Sequence, residues 1–225
     1  DDQDFVRLGK GSTYAILGQT RLSIIDLSGG HQPMKDNTED VTVTFNGEIY
    51  NYQELRKDLE SRGHHFSTKS DTEAILKAYI EYGDRCVDQL DGMFAFVIWD
   101  NRNSKLFIAR DRFGKKPLYY AFDKENNLII ASEIKAILAT DLKGQIDPIA
   151  IDNYLALTYI PPWKTIYSNI KTLPPAHSAI YTNGKIEIKK YWKLEKKPIK
   201  VSYEDTKMKV KELFDIEIKK RMIAD

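Results

Sequence analysis

The sequence predicts an α+β fold built from packed sheets. Three observations carry that expectation: a succession of short β-rich runs between residues 93 and 131, two capped helices just ahead of it, and a first run, 93–99, that is apolar on both faces. A strand apolar on both faces needs a layer on each side of its sheet, which calls for helices over one face and a second sheet or helices over the other.

Ahead of residue 41, two glycine-bearing stretches read as turns. Gly9, Lys10, Gly11 and Ser12 lack the four-residue spacing between glycines of a phosphate loop. Ser28, Gly29 and Gly30 run into His31, Gln32 and Pro33, where a pyrophosphate-gripping loop would need an acidic residue and a serine. Residues 41–45 alternate as a half-buried strand does and end at Asn46 and Gly47. Asn51 and Glu54 are spaced as a capping box for a helix that shows Leu55 and Leu59 on one face and stops at Gly63. Ser70 and Glu73 repeat the device, with Ile75, Leu76, Tyr79 and Ile80 on the buried side and Gly83 as the stop.

Runs 93–99, 105–110, 117–122 and 128–131, separated by turn formers at 101–104 and 123–127, then predict an antiparallel meander. Asp147 at the cap and Pro148 at the first helical position start a helix through Tyr154 and Leu157. Runs 177–182 and 185–191 flank Asn183 and Gly184, the strongest hairpin signal in the chain. Residues 193–200, lysine-rich with Pro198, predict an exposed linker, and a charged helical pattern follows from Ser202 through Met208, Val210, Leu213 and Ile216 to Met222.

Composition excludes several classes. Lys plus Arg is 34 and Asp plus Glu is 33, a net charge of +1, so nothing pulls the chain toward nucleic acid or anionic lipid. The longest apolar run, 93–99, is far too short to span a bilayer. A lone Cys86 in a helical stretch is expected to be a buried, inert thiol, suits the reducing cytoplasm and rules out a disulfide framework. His31, His64, His65 and His177 are not spaced as ligands on one face, so no metal site is expected.

Three clusters remain: residues 21–34, residues 45–56, and Ser70 with Asp71. Arg21 can give a carboxylate a forked donor, and Asp71 can face an ammonium. The Asn46 side-chain amide and the Gly47 N–H form a donor pair of the kind that stabilises an oxyanion in acyl transfer, and Glu48 can accept from an amine or amide. A site for free glutamine, which carries a carboxylate, an ammonium and a neutral side-chain amide, would have to offer groups of these kinds. Each also has an ordinary reading: Arg21 and Asp71 as surface charges or an ion pair, Asn46 and Gly47 as a hairpin turn like Asn183 and Gly184. The contexts differ, because Asn46 and Gly47 lead into a capped helix and so leave the glycine N–H available.

The segments RLSIIDLSGGHQPM (21–34), FNGEIYNYQELR (45–56), SDTE (70–73), GMFAF (92–96), ARDRFGKKPLYY (109–120) and ASEIKAI (131–137) resemble the glutaminase half of glutamine-hydrolysing asparagine synthetase in order and spacing, over nearly the whole chain. The resemblance implies a class II amidotransferase domain of the N-terminal nucleophile hydrolase type, a four-layer αββα sandwich of two antiparallel sheets. It implies that Arg21 binds the glutamine carboxylate with Leu22, Ser23, Ile24 and Ile25 lining that site. On the same footing Asn46 and Gly47 form the oxyanion hole, Glu48 contacts the substrate amine and Asp71 holds the ammonium.

One departure stands beside the match: the family's nucleophile is an N-terminal cysteine, and no such cysteine is present. The expected organisation is a glutaminase domain over 1–192 without its first strand, a linker at 193–202, and at 203–225 the first helix of an ATP-dependent synthetase domain. The expected partners are glutamine, that synthetase domain and a second copy of the chain. No cofactor is expected in this chain, with ATP and magnesium acting in the synthetase half. Two other readings stay open: a nucleophile-less binding or structural module, as in β-lactam-forming relatives, and the glutaminase of a relative that amidates another acceptor.

Overall fold

The structure is a computed structural model of the chain and describes residues 2–11, 13–21, 26, 29–38 and 40–222. The chain opens with an antiparallel hairpin of β1 (Asp2–Lys10) and β2 (Thr13–Arg21). Next come β3 (Met34–Lys35), β4 (Val41–Ile49), α1 (Tyr52–Ser61) and α2 (Asp71–Tyr82), and a tight helical turn at Gly83–Asp88. Then follow β5 (Gly92–Asp100), β6 (Lys105–Arg110), β7 (Tyr119–Phe122), β8 (Leu128–Ala131), α3 (Ile134–Leu138) and α4 (Pro148–Leu157). The last elements are β9 (Lys171–Thr172), β10 (His177–Thr182), β11 (Lys185–Lys190) and α5 (Tyr203–Arg221).

A six-stranded antiparallel sheet in the order β11-β10-β6-β5-β4-β3 forms the centre. Strand β5 is its spine, and its alternation decides the layers. Phe94, Phe96 and Ile98 face one way and pack with Phe45 and Phe107 against Leu55 and Leu59 of α1 and Ile75, Leu76 and Tyr79 of α2. Ala95, Val97 and Trp99 face the other way and meet Leu8, Ala15 and Leu17 of the β1–β2 hairpin, with Leu118 and Leu173. Fully burying each of the larger side chains contributes about 1.5–3 kcal/mol. On the outer face of the small sheet β8-β7-β9, Ala121 and Ile170 pack with Ile137 of α3. Helices, sheet, sheets and helix therefore stack as an αββα sandwich whose second β-layer is in two pieces.

The structure corrects several local expectations. The predicted meander does not stay in one sheet: β5 and β6 lie in the central sheet, β7 and β8 in the outer one. The crossing is made at residues 111–118, where the buried Asp111 carboxylate collects the N–H groups of Phe113, Lys115 and Lys116. Neither predicted capping box closes. Asn51 spends its amide on the Gln89 carbonyl and the Asp91 N–H, and Glu73 accepts from Ser67 and Thr68, while Ser70 alone caps α2 by accepting from Thr72 N–H. The β1–β2 hairpin and α3 had no counterpart in the sequence reading. Phe5, Tyr14 and Ile16 of the hairpin are exposed, which blurs the alternation of its strands.

Helix α5 has no buried residue, and Met208, Leu213, Phe214 and Ile216 lie open. Its last turn touches the body of the domain: Lys220 reaches Asp91 at 3.3 Å and the Arg221 guanidinium lies 4.3 Å from the centroid of the Tyr50 ring. No helix among the described residues is long and apolar enough to cross a membrane.

Candidate functional site

A cleft of about 1020 Å³ opens between the two pieces of the second β-layer. The β1–β2 hairpin forms one wall, residues 130–136 of β8 and α3 form the other, and the small side chains of Ala95 and Val97 lie beneath. Asn46, Gly47, Glu48 and Asp71 all line it, so four of the sequence-predicted site residues meet in one place. The Arg21 side chain and residues Leu22, Ser23, Ile24 and Ile25 lie outside what the structure describes.

Asn46 and Gly47 do not end a strand, as the sequence suggested, but lie inside β4, which stays paired with β5 as far as Ile49 opposite Gly92. Glycine makes this continuity possible. Gly47 has φ +147°, and a Cβ there would run into the Met93 carbonyl oxygen and come within 2.8 Å of Phe94 Cα. Alternation along an antiparallel strand then sets the direction of its N–H. Phe94, opposite Gly47, turns its own N–H and C=O toward Asp111, away from β4. The Gly47–Phe94 pair is therefore a non-hydrogen-bonded one, and the Gly47 N–H points from the outer edge of β4 into the cleft.

Two residues further along the same edge, the Ile49 N–H donates to Asp71 Oδ2 at 3.0 Å. Asp71 opens α2 directly after its Ser70 cap, so its buried carboxylate sits at a helix N-terminus, where negative charge is favoured. The cleft thus holds an amide donor pair and an acid about 6.8 Å apart along β4, two residues of antiparallel rise.

Polar lining residues that the sequence reading did not name as site residues include Gln19, Gln32 and Lys116. Gln19 looked like one polar residue among many and Gln32 like part of a turn; no local signal marks either. Lys116 lies in the motif 109–120, which the sequence linked to the family without assigning it a role.

Cys86 is wholly buried in the turn after α2, and burial pushes its thiol well above the usual cysteine range. It is no nucleophile at neutral pH. A thiol reagent such as dithionitrobenzoate should leave Cys86 untouched in the native chain and react once urea unfolds it; prompt native reaction would contradict this burial. Among the described residues no group of three His, Cys, Asp or Glu side chains is placed to hold a metal ion.

The chain is 38% identical over 221 residues to asparagine synthetase (glutamine-hydrolyzing) 3 of Bacillus subtilis strain 168, covering 96% of this chain and 36% of that protein. It is 37% identical over 247 residues to putative asparagine synthetase (glutamine-hydrolyzing) 2 of Methanocaldococcus jannaschii, covering 100% of this chain and 47% of that protein. The chain thus spans between a third and a half of the length of these relatives. Among solved structures, the glutamine phosphoribosylpyrophosphate amidotransferase of B. subtilis, in complex with ADP and GMP, superposes with a TM-score of 0.56 at 19% identity, covering 80% of this chain and 35% of that one. That likeness shows a shared fold. The glutamine amidotransferase domain family matches residues 8–192, and the chain belongs to it.

Proposed function

We propose that this chain is the glutamine-binding, glutaminase part of an asparagine synthetase. The observation that carries the reading is the shared cleft of Asn46, Gly47 and Asp71, with the donor pair and the acid two strand residues apart. An extended glutamine separates its ammonium nitrogen from its side-chain amide carbon by four bonds, about 5 Å end to end, which leaves a hydrogen bond's reach at the two ends to span that spacing. In this reading Asp71 holds the ammonium, Glu48 contacts the amine, and Arg21, with residues 22–25, takes the carboxylate.

Hydrolysis would proceed by attack of a thiolate on the amide carbon. The electron pair of the C=O moves to oxygen, and the oxyanion accepts from the Asn46 amide and the Gly47 N–H. The α-amine of the N-terminal cysteine bearing that thiolate, having taken the thiol proton, passes it to the leaving nitrogen, so that collapse expels ammonia, and water then cleaves the thioester to glutamate and frees the thiol. Buried Cys86 cannot supply that thiolate. In this reading these residues bind and orient glutamine, and an N-terminal cysteine of the kind found in the family would supply the thiolate. Ammonia would pass to aspartate activated by ATP and magnesium in a synthetase domain of the longer protein, in the cytoplasm, with two copies pairing through these domains.

Titration calorimetry with glutamine tests the binding step. Weak but saturable heat that disappears in Asp71→Asn is expected, and no heat at millimolar glutamine from a folded chain sinks the reading. With an upstream segment that supplies the first strand and an N-terminal cysteine joined ahead of residue 1, Asn46→Ala should lower glutaminase turnover about a hundredfold or more; unchanged turnover would remove Asn46 from the mechanism. The alternative reading is a binding module without glutaminase chemistry. The coding sequence upstream of Asp1 separates the two, since Met-Cys-Gly in frame fits the enzyme and unrelated residues fit the module.

A further inference from the structure

The outer edge of β4 is held by side chains rather than by a strand for most of its length. Val41 is bound by Asp36 through both main chain and carboxylate, and Val43 pairs with Met34 of β3. Carried two residues on, the β3–β4 register would set residue 32 opposite Phe45, but the strand has ended. The Gln32 side chain takes its place: Oε1 accepts from Phe45 N–H at 2.7 Å and Nε2 donates to Thr72 Oγ1 at 3.2 Å. Because an N–H can only donate, the oxygen must face Phe45 and the amide orientation is fixed. Gln19 of β2 completes the pairing, with Nε2 donating to the Phe45 carbonyl at 3.2 Å and Oε1 accepting from the Thr44 hydroxyl. Gln32 is only 4% exposed.

We infer that Gln32, assisted by Gln19, is the positioning residue of the oxyanion donors; this rests on the glutaminase reading. It pins Phe45 on one side of Gly47 while Asp71 pins Ile49 on the other, so the Gly47 N–H between them keeps its direction into the cleft. Through Thr72, the neighbour of Asp71, the same side chain couples that strand to the helix turn that carries the acid. Both halves of the site are thereby referred to one buried amide.

The chain contains two Asn-Gly pairs, Asn46–Gly47 and Asn183–Gly184. Labelling asparagine carbonyls with ¹³C and glycine amides with ¹⁵N therefore isolates two signals, Gly47 and, as an internal reference, Gly184. In Gln32→Met the Gly47 amide signal should move and broaden as its orientation is released, with Gly184 unchanged. Gln32→Glu keeps an acceptor for Phe45 and should restore most of the native signal. Thr165→Val, which removes a buried hydroxyl bonded to the Ile170 carbonyl, should lower the melting temperature without moving Gly47. A Gly47 signal that stays put in Gln32→Met, or moves as far in Thr165→Val, overturns the inference. If Gln32→Met does not fold, Gln19→Met and Thr72→Val are compared instead, and a still signal in both overturns it equally. Glutamine added to the native chain should shift Gly47. No shift at saturation defeats the glutaminase reading, whereas the variant comparison is made without glutamine and decides the role of Gln32 separately.

Discussion

Replacing Gly47 by alanine should destabilise the domain by about 3–5 kcal/mol, a drop of about 10 °C in melting temperature for a chain of this size. The backbone at φ +147° is one that L side chains avoid, and the added methyl would meet the Met93 carbonyl, which is fixed in β5. Relief requires β4 to part from β5 near the cleft, so glutamine binding should vanish along with the stability. Differential scanning calorimetry and a glutamine titration check both halves. A variant that melts within about 2 °C of the native chain would mean that β4 does not run paired through this position.

Asp111→Ala carries the second large effect. The carboxylate is 1% exposed and accepts from four backbone amides: Phe113 and Lys115 on Oδ1, Phe94 and Lys116 on Oδ2. Truncation strands all four donors, the buried Phe94 N–H among them, at a cost of about 3–5 kcal/mol. The damage would centre on the crossover between the two β-layers, where neighbouring Arg110 gives its guanidinium donors to Gly114, Lys116, Leu173 and Thr172. Asp111→Asn keeps one acceptor oxygen and turns an amide NH₂ toward two donors, so an intermediate loss is expected. Urea unfolding should show the midpoint falling from native to Asn to Ala with little change in slope. Equal midpoints for the three proteins would refute the role given to this carboxylate.

The parts of the fold that were legible in the sequence are those that local chemistry decides. Ser70 caps α2, Asp147 and Pro148 start α4, and Asn183 and Gly184 at positive φ turn the β10–β11 hairpin, all as their residue types require. The apolar run of β5 correctly announced a sheet covered on both faces. Where the reading failed, tertiary partners outbid local ones. Glu73 and Asn51 found backbone groups of neighbouring segments in place of their own helix ends. The site divides in the same way: Asn46, Gly47, Glu48 and Asp71 were named from their chemistry. Gln32 was not, because its role exists only once residues 32, 45 and 72 have been folded together.

The edge of β4 also bears on what can enter the cleft. A sheet edge recruits a foreign strand when successive alternate residues offer unpaired N–H and C=O groups. Here Asp36, Met34, the two glutamines and Asp71 occupy positions 41, 43, 45 and 49, and the opening left is Gly47. One gap cannot template a ladder. This border resists accretion of peptide and intermolecular β-pairing, while still admitting a lone oxygen.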